Sequence, residues 1–120
     1  MDPIKRKPAG YDLLVIGAGA AGLWSALSAA RHLRRRGLPV SALRIAVLDS
    51  RVKYGAKILM SGGTRCNLTH VKVTADDYRG GNRNRVARVL RAQPEVESRR
   101  IFEEELGLAT KTEPNGKVFP

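Results

Sequence analysis

Two short apolar runs, with a glycine-rich turn and an amphipathic helical stretch between them, predict an α/β fold built on a parallel βαβ unit. Leu13-Leu14-Val15-Ile16 and Ile45-Ala46-Val47-Leu48 are continuous rather than alternating, the pattern of strands covered on both faces. Gly17-Ala18-Gly19-Ala20-Ala21-Gly22 follows the first run directly. From Ala20 to Arg36 the apolar residues Ala20, Leu23, Trp24, Leu27, Ala30 and Leu33 recur at three- and four-residue steps, and Gly37 with Pro39 beyond it supplies the stop. Strand, turn, helix, strand in that order implies two parallel strands joined by a crossover helix.

The flanking segments are read in the same way. Residues 1–10 (MDPIKRKPAG) form a flexible basic tail. Residues 50–70 lack periodicity and are rich in Gly, Lys, Arg, Ser and Thr, which predicts a long loop of the kind that is usually functional inside a compact domain. Val86, Val89 and Leu90 mark a short amphipathic helix. Pro94 opens another, with Phe102 and Leu106 turned inward and Gly107 as its stop. Residues 108–119 predict a hairpin around Asn115-Gly116, its second strand Lys117-Val118-Phe119 ending at Pro120. A doubly wound sheet needs more parallel strands than this. The expectation is therefore an incomplete domain, residues 11–120 being the N-terminal part of a longer protein or a truncated gene product.

Composition excludes several classes. With 42% hydrophobic and 28% charged residues among 120, the chain is globular rather than disordered. The single cysteine, Cys66, excludes an internal disulfide framework and fits a reducing compartment, so a cytoplasmic location is expected. Residues 13–30 are uncharged, but Gly17, Gly19 and Gly22 interrupt them, Asp12 precedes them and basic residues flank both ends, so no membrane span is expected. The net charge of +11 raises nucleic acid as a partner. The arginines are spread over two helical patterns, Arg31 with Arg34–Arg36 and Arg79 to Arg91, and no tyrosine alternates with them as a base-stacking platform. They read as solvated helix faces, and nucleic acid is not the expected partner.

The chemistry lies in two glycine-rich segments. G-x-G-x-x-G after a buried strand and at the opening of a helix is the phosphate-binding turn: Gly17 permits the tight bend, Gly19 lets a pyrophosphate approach the backbone and Gly22 lets helix and strand pack closely. The free N–H groups of the first helical turn, Ala20 and Ala21 among them, face the phosphates. The alternative for this segment is a Gly/Ala-rich packed turn that holds no ligand. Asp49, closing the second strand, is the acidic partner for adenosine ribose hydroxyls; it falls 27 residues after Gly22, beyond the usual interval of about 20. Arg51 and Lys53 offer the alternative of accepting a 2′-phosphate, and a plain turn-capping aspartate is the other. In the second segment, Gly62-Gly63 can form an anion-binding nest, Lys57 and Arg65 add positive charge, and Ser61, Thr64, Asn67 and Thr69 add hydrogen bonds. Two phosphate-friendly loops suggest a large dinucleotide.

The segment from Gly55 to His70, G-x-K-x-x-x-S-G-G-x-R-C-N-x-T, together with the first glycine turn and the acid closing the second strand, resembles the BaiN/YhiN-like family of NAD(P)/FAD-dependent oxidoreductases, the aminoacetone-oxidase-like FAD-binding enzymes. The likeness continues through Gly81–Val86, Arg88–Arg91 and Glu104–Leu108 to Gly116–Pro120. It implies a Rossmann-like FAD-binding domain of the glutathione-reductase type in a protein of several hundred residues. It also implies that Gly17, Gly19, Ala20, Ala21 and Gly22 hold the FAD pyrophosphate, that Asp49 and Ser50 meet the adenosine ribose, and that Lys57, Ser61, Gly62, Gly63, Arg65, Cys66 and Asn67 line the flavin side. Thr64 stands where many members have a third glycine. NAD(P)H as electron donor follows from the family alone, and no substrate or catalytic residue is implied. Within that reading Cys66 is a buried small residue beside the cofactor, since no second cysteine exists to form a redox pair. His32 is a solvated histidine, and structural hydrogen bonding is favoured over catalysis for His70. No metal-ligand spacing is present. The competing functions are an inactive truncated product and a basic nucleic-acid-binding module on a Rossmann-like scaffold.

Overall fold

The computed structural model describes residues 10–120, so the basic tail lies outside the described residues except for Gly10. The chain divides into two compact units, the first ending at Ile58 and the second spanning Leu59–Pro120.

The first unit is the βαβ unit. Strand β1 (Leu13–Ile16) and strand β2 (Ile45–Leu48) pair in parallel, Leu13 beside Ile45 and Ile16 beside Leu48. Asp12 fixes the start of this pairing: its N–H donates to the Arg44 carbonyl at 2.9 Å and its carboxylate accepts from the Arg44 N–H at 2.8 Å. Helix α1 (Ala20–Arg35) ends one residue earlier than the spacing predicts, with Arg36 as its cap and Gly37 at φ +69° turning the chain away. A turn of 3-10 helix (Val40–Ala42) leads back to β2.

The continuous apolar runs predict strands covered on both faces, and the structure corrects this. Val15 faces α1, but Leu14 and Ile16 stand 50% and 81% exposed, and Leu48 beside Ile16 is 53% exposed. One helix covers one face of a two-stranded sheet, and the alternation of side chains leaves the other face open. Leu23, counted in the inward pattern of α1, is 41% exposed for the same want of a second covering layer. The segment read as a loop over 50–70 also contains structure. Helix α2 (Ala56–Met60) follows Gly55, whose φ is +65°, and is built from residues of good helix propensity.

The second unit gathers a small antiparallel sheet and two helices. Strand β3 (Thr69–His70), which the sequence assigns to the loop, pairs with β5 (Lys117–Phe119); β4 (Lys111–Thr112) pairs with the other edge of β5. Two residues are too few to show a period, so β3 is fixed by its partner rather than by its own sequence. The hairpin forms as expected. Gly116 alone takes a positive φ, and its N–H donates to the Glu113 carbonyl at 2.8 Å, giving a three-residue turn with glycine in the left-handed position. Helix α3 (Arg83–Ala92) is capped by the Asn82 side chain, which accepts from the N–H groups of Asn84 and Arg85. Helix α4 (Glu95–Arg100) begins after Pro94 and widens into a π-helical turn (Ile101–Glu105), where the Leu106 N–H reaches the Ile101 carbonyl at 3.0 Å. The wider turn brings Glu105 to Arg100, which also binds Glu97 and Glu104. These carboxylates raise the pKa of the guanidinium.

The core of this unit is Ile101, Val118 and Phe119, each at most 5% exposed. Val89 and Leu106, expected inward, are 65% and 50% exposed, because the packed faces belong to half-covered Val86, Leu90 and Phe102 instead. Among the described residues no helix is long and apolar enough to cross a membrane.

Candidate functional site

The first unit builds its site from three local devices. Gly17 takes φ +101°, open to glycine, and its N–H donates to the Leu48 carbonyl at 2.7 Å, which ties the turn to the end of β2. Gly22 touches the turn itself: a Cβ there would lie 1.8 Å from the Gly17 carbonyl oxygen and 3.3 Å from Val15 Cγ1. The close approach expected of this glycine is therefore a steric fact of the fold. At Gly19, in contrast, a Cβ would meet nothing within 4 Å. Gly19 is the N-cap of α1 and no side chain caps the helix, so the first-turn N–H groups, which include those of Ala20 and Ala21, have no side-chain acceptor. The positive end of a 16-residue helix is left for an anion.

Asp49 stands at the end of β2 and holds the turn rather than projecting freely. One carboxylate oxygen accepts from the Ala18 N–H at 2.6 Å and the other from the Arg51 N–H at 2.9 Å. The N–H groups of Arg51, Ala18 and Ser50 hold its pKa below the ordinary aspartate value. Each oxygen keeps a second lone-pair direction for a ligand hydroxyl. Ser50 is exposed beside it. The Gly55 N–H donates to the Ala18 carbonyl at 2.9 Å, so both peptide groups of Ala18 are engaged and the residue is 2% exposed. The sequence alone assigns Ala18 no role; its part in the turn depends on contacts 31 and 37 residues away, which leave no local signal.

A cleft of about 190 Å³ lies over these groups, lined by Ala18, Gly19, Asp49, Arg51, Lys53 and Lys57, with Gly55 and Ala56. Its size is below the roughly 300 Å³ at which a pocket encloses a whole small molecule. It suits the charged part of a dinucleotide, with a carboxylate on one side and three cationic side chains around it.

The other predicted residues belong to the second unit. Gly62 and Gly63 take φ +57° and +66°, and Thr64 and Cys66 adopt the same left-handed region at +71° and +56°. The Cys66 N–H donates to the Ser61 carbonyl at 3.0 Å and closes the loop. A Cβ on Gly62 would lie 2.6 Å from the Asn67 nitrogen. Cys66 is half-buried rather than buried, and Asn67 is exposed. Arg65, expected to offer its fork to phosphate, pairs with Glu113 and lies over the Phe119 ring, 4.3 Å from its centroid. Glu113 and Phe119 are partners that sequence spacing could not reveal. His70 in β3 is hydrogen-bonded to the hairpin turn and to its own strand's exit: its Nε2–H donates to the Asn115 carbonyl at 2.7 Å, and its Nδ1 lies 3.3 Å from the Lys72 nitrogen. This is the structural role favoured for it. His32 is exposed on α1. Among the described residues no group of three His, Cys, Asp or Glu side chains could hold a metal.

Comparison with known proteins adds the family. The family model described as "HI0933-like protein Rossmann domain" matches residues 11–120. The ribosomal RNA dihydrouridine synthase of Escherichia coli (strain K12) is 39% identical over 72 residues, 60% of this chain and 16% of that protein. The enzyme of the same name from Haemophilus influenzae is 41% identical over 69 residues, 58% of this chain and 15% of that protein. The 3-dehydro-bile acid delta(4,6)-reductase of Clostridium scindens is 32% identical over 106 residues, 88% of this chain and 24% of that protein. The chain thus spans between about a sixth and a quarter of the length of these relatives.

Proposed function

Because the chain belongs to the HI0933-like Rossmann-domain family, whose members bind FAD, we propose that it is the FAD-binding portion of a flavin-dependent oxidoreductase. The observation that carries this reading is the uncapped start of α1, with Gly19 open beside it and Gly22 locked against Gly17. That cradle suits the pyrophosphate. The cationic side chains of Arg51, Lys53 and Lys57 around the same cleft add to the attraction. Asp49, held in place by two backbone N–H groups, supports the reading of a ribose-hydroxyl acceptor, and its charge disfavours a 2′-phosphate at that position. Ser50 is its neighbour in that role. Ser61, Gly62, Gly63, Arg65, Cys66 and Asn67 are proposed for the flavin side on the strength of the motif; Arg65 would contribute through those of its five donors that Glu113 does not use.

When bound, FAD supplies hydride or electron transfer. The residues of this chain bind and orient it. Two relatives are named for making dihydrouridine in ribosomal RNA and the third for reducing a 3-dehydro bile acid, which supports a reductase; NAD(P)H as its electron source is proposed from the family resemblance alone.

The test uses Gly19→Asp. Gly19 has an ordinary φ of −83° and open space at its Cβ, so aspartate fits there without strain and can itself cap the first-turn N–H groups. Its carboxylate sits where the pyrophosphate approaches. Titration of FAD, and of ADP as the non-flavin half, is followed by the rise in melting temperature. Saturation at 100 times Kd corresponds to about 2.7 kcal/mol of stabilisation. The wild type shows this rise and Gly19→Asp loses it, while its melting temperature in the absence of ligand is no lower than that of the wild type, since Asp is a good N-cap residue. Equal response of both proteins to FAD overturns the assignment.

A further inference from the structure

The turn between Ser61 and Cys66, in the second unit, has the form of an anion-binding loop. Gly62, Gly63 and Thr64 take φ +57°, +66° and +71° in succession, and residues of one helical sense carry their N–H groups to one side. The N–H groups of Gly63, Thr64 and Arg65 donate to no described residue, and all three residues are exposed. The Arg65 guanidinium belongs to the same loop, and a carboxylate oxygen of Glu113 already holds it through Nη1. A protein anion thus occupies the charge that the motif offers to a ligand anion.

Other contacts place both partners. The Arg65 guanidinium lies 4.3 Å from the centroid of the Phe119 ring, itself 5% exposed, so the ring anchors it independently of Glu113. Glu113 opens the hairpin turn: its N–H donates to the Lys117 carbonyl at 2.9 Å and its carbonyl accepts from the Gly116 N–H at 2.8 Å. Its second carboxylate oxygen accepts from no described residue. The side chains of Arg65 and Glu113 are 59% and 25% exposed, and an ion pair so open to water is weak. A phosphate monoester has three acceptor oxygens and nearly two negative charges, and it takes a guanidinium edge through two parallel bonds. We propose that Glu113 is a built-in competitor at this loop: its carboxylate holds Arg65 until a phosphate of the flavin half displaces it and reaches the open N–H groups. Glu113 then sets how tightly the loop holds that phosphate. The proposal rests on the flavin-side reading of residues 61–67 given above. It adds a residue outside the motif, since Glu113 lies 48 positions after Arg65.

The test is titration of flavin mononucleotide (FMN) into the 120-residue chain, followed by quenching of flavin fluorescence, for the wild type and Glu113→Gln. The carboxamide keeps the size and the accepting oxygen of the glutamate and removes its charge. Glu113→Gln tightens FMN binding about fivefold, the span of an exposed ion pair. Riboflavin, which has no phosphate, and ADP, assigned to the first unit, bind both proteins with the same affinity. Glu95→Gln, which removes the same charge from α4, leaves FMN affinity within about twofold of the wild type. Arg65→Gln weakens FMN binding about tenfold, and adding Glu113→Gln to it changes nothing further, because the two side chains act as a pair. In the wild type itself, saturating FMN moves the carbon-13 resonance of the Glu113 carboxylate. FMN affinity unchanged or lowered in Glu113→Gln with an unaltered melt overturns the proposal, as does a Glu113 resonance that stays in place. Tightening that persists without Arg65, or that extends to riboflavin, overturns it too. ADP binding with no effect of Glu113 on FMN overturns this proposal alone; absence of both ADP and FMN binding overturns the FAD reading with it.

Discussion

Thr64 carries a β-branched side chain at φ +71°, a conformation that suits glycine. Its hydroxyl donates to the neighbouring Gly63 carbonyl at 2.6 Å. Thr64→Gly therefore relieves strain and stabilises the chain by about 1 kcal/mol, after the entropy that glycine adds to the unfolded state. A urea titration checks this through a higher midpoint at unchanged slope. Asp49 gives a pH dependence at the same scale. Its folded pKa is depressed, first by the Arg51 N–H and then by that of Ala18. The stability it contributes is complete above the unfolded value of about 3.9 and is lost as pH falls through the folded pKa. Acid unfolding of the wild type is accordingly steeper below about pH 4 than that of Asp49→Asn, which has no such proton to take up. The identity of both residues is plain in the sequence. That Asp49 clamps the turn, and that Thr64 sits in a left-handed position, is not, because each depends on how distant backbone groups come together.

Secondary elements differ in how much of themselves they announce. Helix α3 is marked by its apolar spacing, whereas its cap, Asn82, is shown by the structure. Removing the cap with Asn82→Ala orphans two N–H groups and costs about 1 kcal/mol, read as a lower melting temperature and reduced helical circular dichroism. The hairpin is legible from Asn115-Gly116, but its rigidity is tertiary. A Cβ on Gly116 would lie 2.4 Å from His70 Cε1, so Gly116→Ala disrupts the contact between the turn and β3 as well as its own backbone. Chemical-shift changes at the Lys117 amide, which donates to Asn115 Oδ1, and at His70 are the expected NMR signature. Helix α2 and strand β3 are too short for periodicity to detect. The π-helical turn after α4 is fixed by Ile101 filling the core and by Arg100 reaching three glutamates, neither of which is a local preference.

For the whole molecule the decisive fact is how little apolar surface is covered. The buried hydrophobic residues among those described are Ala18, Ile101, Val118 and Phe119, while Leu14, Ile16 and Leu48 line the open face of a two-stranded sheet. Both outer edges of that sheet have unpaired backbone groups. The net charge of +11 opposes self-association of this surface. Raising salt shortens the screening length to about 10 Å at 0.1 M, so aggregation followed by light scattering accelerates with ionic strength. Ile16→Thr slows it, since Ile16 is the most exposed residue of the face and threonine keeps strand propensity. The continuous apolar runs that predict full burial are thus correct about strands and wrong about coverage. Strand type is a local property, whereas coverage requires a further layer of structure on the second face.

By itself the sequence determined the parallel βαβ unit, the glycine-rich turn that opens its helix, the short amphipathic helix and the hairpin. Each rests on local periodicity, backbone freedom or capping within a few residues. Tertiary structure alone decided that Asp49 is bound by Ala18 and Arg51, that Arg65 turns to Glu113 and Phe119, and that Arg83 of α3 pairs with Asp76. Those outcomes depend on which groups meet across tens of residues, and charge pairing and steric fit act between neighbours in space.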